Sequence, residues 1–282
     1  MHAAAAPVTP APETPIVPLD PMLASAMTGR RTFDDYLSDD YRLEVKLDGH
    51  RIVVHKRGDA VVAFSRRGIV RALPVAVVRA VRMLPDGIYD GELLAPAGKS
   101  WAVTVVATRA ALSLVLFDVV EVLGVSIAAR PYAERRAALE MAVAHVVDSV
   151  AVQIVPSVPV SREALAAIYA AGGEGAVIKR TTSTYRPGYR TPEWIKVVPA
   201  RRAVLTIVGY EAGSFGPYAT TVLAGDDGVV TKVKTKDTAT REAIAADPAH
   251  MIGRRLVISY RERTPSGSFR HPMADHLAGE GE

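Results

Sequence analysis

The chain has 282 residues, 49% of them hydrophobic and 23% charged, which gives room for one large globular domain or two ordinary ones and excludes a disordered chain. It contains no cysteine, so disulfides, thiolate metal sites and cysteine nucleophiles are all excluded. A net charge of +4 and a pI near 9.3 permit phosphate-rich partners without demanding them.

Residues 1–20 carry Pro7, Pro10, Pro12, Pro15 and Pro18, a spacing in which neither helix nor sheet persists, and are expected to form an extended leader. They lack a basic start followed by an apolar core, so no secretory signal is expected. The longest apolar region, Ala110 to Ala129, is interrupted by Asp118 and Glu121 and is too broken to cross a bilayer. The expected setting is the cytoplasm, with no membrane partner.

From Leu43 onward, Leu43, Val45 and Leu47 alternate with Glu44, Lys46 and Asp48, which predicts a strand with the three charged side chains on one face. Gly49 then allows a bend or a close backbone approach. A lysine between two carboxylates has two readings. It fits a solvated edge strand of alternating charge. It also fits a nucleophile, provided a dry pocket, a metal ion or further cations keep the amine neutral against the pull of its acidic neighbours.

Arg51–Lys56 and Ala60–Ser65 flank the turn signal Gly58-Asp59 and predict a hairpin, closed by Ser65-Arg66-Arg67-Gly68. A short strand is expected over Gly87–Leu94 and a buried one over Ala111–Val120. Pro131–Val147 reads as a helix with Ala138, Met141 and His145 on its apolar face. Ser161 caps a second helix that Gly172-Gly173 stops. Glu174–Lys179 is a further strand, and a Gly/Pro/Tyr loop leads into Trp194–Val198.

After Pro199 the text changes to short strands at Ala203–Tyr210, Thr220–Ala224, Val229–Lys234 and Arg255–Arg261, with a helix near Ala239–Ala246. That economy suits a small closed barrel of the OB type. Lys232, Lys234 and Lys236 fall on one face at period two. Such a row could meet nucleic-acid phosphates, or it could be an ordinary solvated edge.

Several of these segments carry a common resemblance. Lys46-x-Asp48-Gly49-x-Arg51 resembles the nucleotidyl-acceptor motif of the covalent nucleotidyltransferases, the superfamily of ATP-dependent polynucleotide ligases and mRNA capping enzymes. Ser65-Arg66-Arg67-Gly68, Asp90-Gly91-Glu92, Leu114–Asp118, Glu174-Gly175-x-Val177-x-Lys179 and Trp194-x-Lys196 resemble the motifs that follow it, in the same order. The whole is similar to a minimal two-domain ATP-dependent DNA ligase of phage and bacterial type. The implied fold is α+β: a leader over 1–20, an adenylation domain of antiparallel sheets with helices over 21–199, and an OB-fold barrel over 200–282.

The resemblance implies that Lys46 attacks ATP and holds AMP. It places Glu44 near the adenine, Arg51 and Arg66 on ribose or phosphate, Glu92 on a ribose hydroxyl and Phe117 against the base. Lys179 and Lys196 belong with the phosphates, and Glu174 helps to hold Mg²⁺ or Mn²⁺. Arg66, Arg67, Lys232, Lys234 and Lys236 are the candidate DNA contacts, and the implied partner is nicked duplex DNA bound by a monomer. Two departures stand out: Val198 replaces a second lysine found in many relatives, and no Arg-x-Asp-Lys motif is found, Asp275-His276 being nearest. RNA ligase, capping guanylyltransferase and a non-catalytic nucleic-acid-binding module are the alternatives.

Overall fold

A computed structural model describes residues 16–27, 31–95, 112–146, 150–198, 201–211, 221–226, 228–235, 237–260, 262–263, 267–270 and 272–279. Most of the Pro-rich leader and Lys236 lie outside these residues. The chain divides into two compact units, Met1–Val197 and Val198–Glu282.

Among the described residues, the first unit holds twelve strands: β1 (Leu23–Ala26), β2 (Tyr41–Val45), β3 (His50–Arg57), β4 (Ala60–Ser65), β5 (Val70–Arg71), β6 (Gly87–Leu94), β7 (Ser113–Val122), β8 (Val125–Ser126), β9 (Val152–Ile154), β10 (Ser157–Pro159), β11 (Ala176–Arg180) and β12 (Arg190–Val197). One sheet has the order β1-β12-β11-β2-β10. The other runs β5-β4-β3-β6-β7-β8, with β9 added beside β7. All pairings are antiparallel except β1 with β12 and β7 with β9.

Period-two alternation assigns the faces of the five-stranded sheet. Leu43, Ala176, Ile178, Ile195 and Val197 share one hydrophobic cluster, joined by Ala164, Leu165 and Ile168 of a helix, α3 (Arg162–Ala170). Their chain neighbours Glu44, Val177, Lys179, Trp194 and Lys196 therefore emerge on the opposite face. The seven-stranded sheet packs on two earlier helices, α1 (Val75–Arg82) and α2 (Tyr132–Val143), through Val77, Val81, Leu139, Ala142 and Val143.

The structure corrects two expectations and adds one helix. β2 is no solvated edge: β10 and β11 flank it, and Glu44 is 2% exposed. α2 does not bury Met141, which is 74% exposed; it buries Tyr132, Arg135, Leu139, Ala142 and Val143. Arginine at 135 reads as a solvent marker in sequence, but a buried carboxylate neutralises it. Helix α1 has a run of valines with the composition of a strand; Pro74 before it and the burial of Val77, Ala80 and Val81 make it an amphipathic helix.

The second unit contains β13 (Arg201–Glu211), β14 (Thr221–Asp226), β15 (Val229–Thr235), β16 (Arg255–Tyr260), β17 (Glu262–Arg263), β18 (Phe269–Arg270) and β19 (Met273–Leu277). Five of them close a barrel in the order β13-β14-β15-β19-β16, around Leu205, Ile207, Val222, Val233, Leu256 and Ile258. Helix α4 (Thr238–Ala246) begins where the Asp237 side chain accepts from Thr240 N at 2.7 Å. On β15, Thr231 and Val233 are buried while Lys232 and Lys234 are exposed. Among the described residues, no helix is long and apolar enough to cross a membrane.

Candidate active site

Within the first unit the two sheets face each other across a cavity of about 250 Å³. Its floor is the polar face of the five-stranded sheet, with Glu44 and Lys46 from the β2 segment, Val177 and Lys179 from β11, Trp194 and Lys196 from β12, and Ala24 from β1. Arg51 of β3, Glu92 of β6, Phe117 of β7 and Arg66 of the turn after β4 come from the other sheet. Eight residues singled out in the sequence thus line one cleft.

Strand register explains why distant motifs converge. β2 and β11 pair antiparallel with Glu44 opposite Val177 and Val45 opposite Ala176. The next rung is Lys46 N donating to Gly175 O at 2.8 Å, which brings Glu174 beside Lys46. The Lys46 ammonium accordingly forms an ion pair with the Glu174 carboxylate. Across the other sheet, β3 and β6 set Arg51 opposite Glu92.

Gly49 links the two halves of this arrangement. A Cβ there would lie 2.3 Å from the Leu93 carbonyl oxygen, so no larger residue fits. Its N–H donates to Glu92 Oε1 at 3.2 Å, which orients that carboxylate in the cleft. Burial pushes the Glu92 carboxyl up to about 7, against the opposing pull of Arg51 and Lys46.

The charges behind the cleft are paired. Arg51 donates through Nε and Nη2 to Asp90 at 2.5 Å each, and through Nη2 to the Met22 carbonyl at 3.1 Å. Burial opposes the Arg51 charge, but Asp90 outweighs it and the guanidinium holds its proton more tightly than usual. Asp90 also accepts from the Tyr185 hydroxyl at 2.5 Å. The Arg51 guanidinium lies 4.6 Å from the Phe117 ring centroid, so it supports that ring from one side.

Lys179 is buried and donates to the Phe117 carbonyl at 2.8 Å while pairing with Glu44 at 2.7 Å. Burial lowers its affinity for a proton and raises that of Glu44. Beneath them, Arg135 and Asp118 form a wholly buried bidentate pair at 2.8 and 2.9 Å. Arg135 also donates to the carbonyls of Arg130 and Ser183, tying α2 and two loops to the strand that carries Phe117.

The remaining predicted residues divide. Arg67 is exposed on the same turn as Arg66 but does not line the cleft. Lys232 pairs with Glu211 at 2.6 Å in the second unit, and Asp275 accepts from Ser259 and pairs with Arg202 there. Sequence reasoning missed Arg190, which lines the cleft and donates to the Ala24 carbonyl, and the supporting pair Asp118–Arg135. The available signal was a charged residue inside an apolar strand.

Mg²⁺ takes hard oxygen donors and commonly one or two carboxylates, the rest being phosphate and water. Among the described residues no group of three or more potential ligands is assembled. A single carboxylate, Glu174, beside the Lys46 amine fits an ion brought in with a polyphosphate better than one caged by protein.

Paired antiparallel sheets around a lysine-bearing cleft, followed in the chain by a closed five-stranded barrel, define the nucleotidyltransferase class of α+β fold. The chain belongs to the ATP-dependent DNA ligase domain family, whose model matches residues 21–197. It is 33% identical over 216 residues to a probable DNA ligase of Mycolicibacterium vanbaalenii, covering 70% of this chain and 40% of that protein. It is 34% identical over 222 residues to a DNA ligase of Thermococcus fumicolans, covering 70% and 39% respectively. The chain therefore spans about 40% of the length of these relatives. A solved structure of a Lig E DNA ligase shares the fold, with a TM-score of 0.70 at 20% identity over 91% of this chain and 98% of the other.

Proposed function

We propose that this chain is an ATP-dependent DNA ligase that seals nicks in duplex DNA through an AMP linked to Lys46. The observation that carries the reading is the position of the Lys46 amine, in a cleft shared with Glu92, Phe117, Lys179 and Lys196 and in direct contact with Glu174. Phe117 offers a flat face for a purine, Glu44 an acceptor for its polar edge and Glu92 an acceptor for ribose hydroxyls. Lys196 and Arg66 bring positive charge to the phosphates.

The chemistry is three in-line displacements at phosphorus. The Lys46 amine forms a bond to the α-phosphorus of ATP and pyrophosphate leaves; AMP then passes to a DNA 5′-phosphate; a 3′-hydroxyl attacks that phosphorus and AMP departs. Positioning and charge neutralisation carry most of the acceleration in such reactions. Lys46 must lose a proton to attack, and the carboxylate in contact with its amine is that of Glu174. Glu174 would hold Mg²⁺ (or Mn²⁺), which supplies neutralisation of the phosphate charge.

Exposed Lys232 and Lys234 supply a sequence-blind grip on the DNA backbone. The test is incubation of the protein with ATP or GTP labelled in the α-phosphate, with Mg²⁺, followed by denaturation. Label retained from ATP and absent in Lys46→Ala is expected, together with sealing of nicked DNA. Label from GTP instead would make this a capping-type enzyme, preference for nicked RNA an RNA ligase, and label from neither nucleotide a binding module.

A further inference from the structure

Tyr132 does not line the cleft, yet it controls a residue that does. It opens helix α2, its side chain is buried, and its hydroxyl donates to Glu44 Oε1. The same hydroxyl lies 3.1 Å from Ser157 Oγ on β10, and Ser157 is the residue opposite Glu44 in the sheet. The other Glu44 oxygen pairs with Lys179, and Arg136 Nη1 stands 3.8 Å from Oε1. Glu44 is thus gripped from β11, α2 and β10 while it remains a wall of the cleft.

The grip decides what Glu44 can recognise. An ionised carboxylate only accepts hydrogen bonds; a protonated one also donates. Beside a purine, an acceptor pairs with an exocyclic amine, whereas an exocyclic carbonyl in the same place sets two acceptors against each other. Burial raises the proton affinity of Glu44 against the pull of Lys179, Tyr132 and Arg136, so each donor that holds the carboxylate counts. Of these three, Tyr132 is neutral, so its hydroxyl can be removed without changing the charge around Glu44.

We propose that Tyr132 is a specificity-determining positioning residue: its hydroxyl, donating to Glu44 Oε1, fixes that side chain as an acceptor facing the cleft, and so selects a nucleotide base bearing an amine over one bearing a carbonyl. This rests on the reading above that a nucleotide base enters beside Glu44. Tyr132 does not line the cleft and acts through Glu44, while its ring lies 4.9 Å from the Lys179 ammonium and is kept in a Phe variant. A site built around one polarity of hydrogen bond rejects the opposite polarity by leaving buried groups unpaired.

The experiment compares kcat/KM for labelling of Lys46 from ATP and from GTP in the full chain and in Tyr132→Phe, which keeps the ring. The ATP:GTP ratio is expected to fall by at least about tenfold, through a gain with GTP as well as a loss with ATP. Equal slowing with both nucleotides, or an unchanged ratio, overturns the proposal and shows Tyr132 to be packing alone. If Tyr132→Phe melts far below the unsubstituted chain, Ser157→Ala, which removes the hydroxyl behind Tyr132, should shift the ratio the same way by less; no shift there overturns the proposal. Failure of the unsubstituted chain to take label from ATP would instead refute the Lys46 reading, and this inference with it.

Discussion

Replacing Glu92 by glutamine should make the first unit more stable and the enzyme less active, and the gain should depend on pH in a defined direction. The glutamine keeps the shape and the oxygen that accepts from Gly49 N–H, and loses only the charge. In the folded chain the Glu92 carboxyl titrates near 7 against an ordinary 4.5. The native state therefore binds more protons than the unfolded state between these values, so stability falls as pH rises through that window. A displacement from 4.5 to about 7 corresponds to at most about 3 kcal/mol at pH 8, and to almost nothing below pH 4.5. Both tryptophans, Trp101 and Trp194, belong to the first unit, so urea unfolding followed by tryptophan fluorescence reports on it. Glu92→Gln and the unsubstituted chain should unfold together near pH 4.5 and separate progressively towards pH 8, while labelling of Lys46 falls in the variant. Parallel stability curves across that range would refute the claim that burial of an ionised Glu92 is a cost retained for function.

Arg135→Ala should destabilise the first unit by about 3–5 kcal/mol, because it strands the wholly buried Asp118 without its partner; chemical unfolding measures it. Phe117→Ala should raise KM for ATP by about tenfold or more through loss of base stacking, read from Lys46 labelling at varied ATP. Gly49→Ala should weaken both stability and labelling, since the added methyl meets the Leu93 carbonyl, and thermal melting with the labelling assay separates the two effects. Lys232→Ala combined with Lys234→Ala should weaken binding of nicked duplex and reduce the slope of log K against log salt by about two, measured by titration at several salt concentrations.

Residue patterns alone carried the hairpin around Gly58-Asp59, the strand Gly87–Leu94, the helix capped by Ser161 and the barrel strands, because each depends on local periodicity and turn chemistry. The family resemblance supplied most of the cleft: the residues it singled out at 44, 46, 51, 66, 92, 117, 179 and 196 line it together. There the resemblance to the ligase motifs picked out the residues, and alternation placed them on one face of their strands. What escaped were the features that depend on a partner far away in the chain. Helix α1 depends on the sheet that buries its valines, and Arg135 points inward because Asp118 waits seventeen residues earlier.

The sequence by itself determined which strand face each of these side chains would occupy, since a two-residue repeat leaves no other choice, and its resemblance to the ligases pointed to phosphoryl chemistry. Only the tertiary structure decided how they are charged and held. Pairing Lys46 with Glu174, Arg51 with Asp90 and Glu44 with Lys179 and Tyr132 depends on strand register and burial, and electrostatic energy in a dry cleft depends on distances that no linear pattern contains.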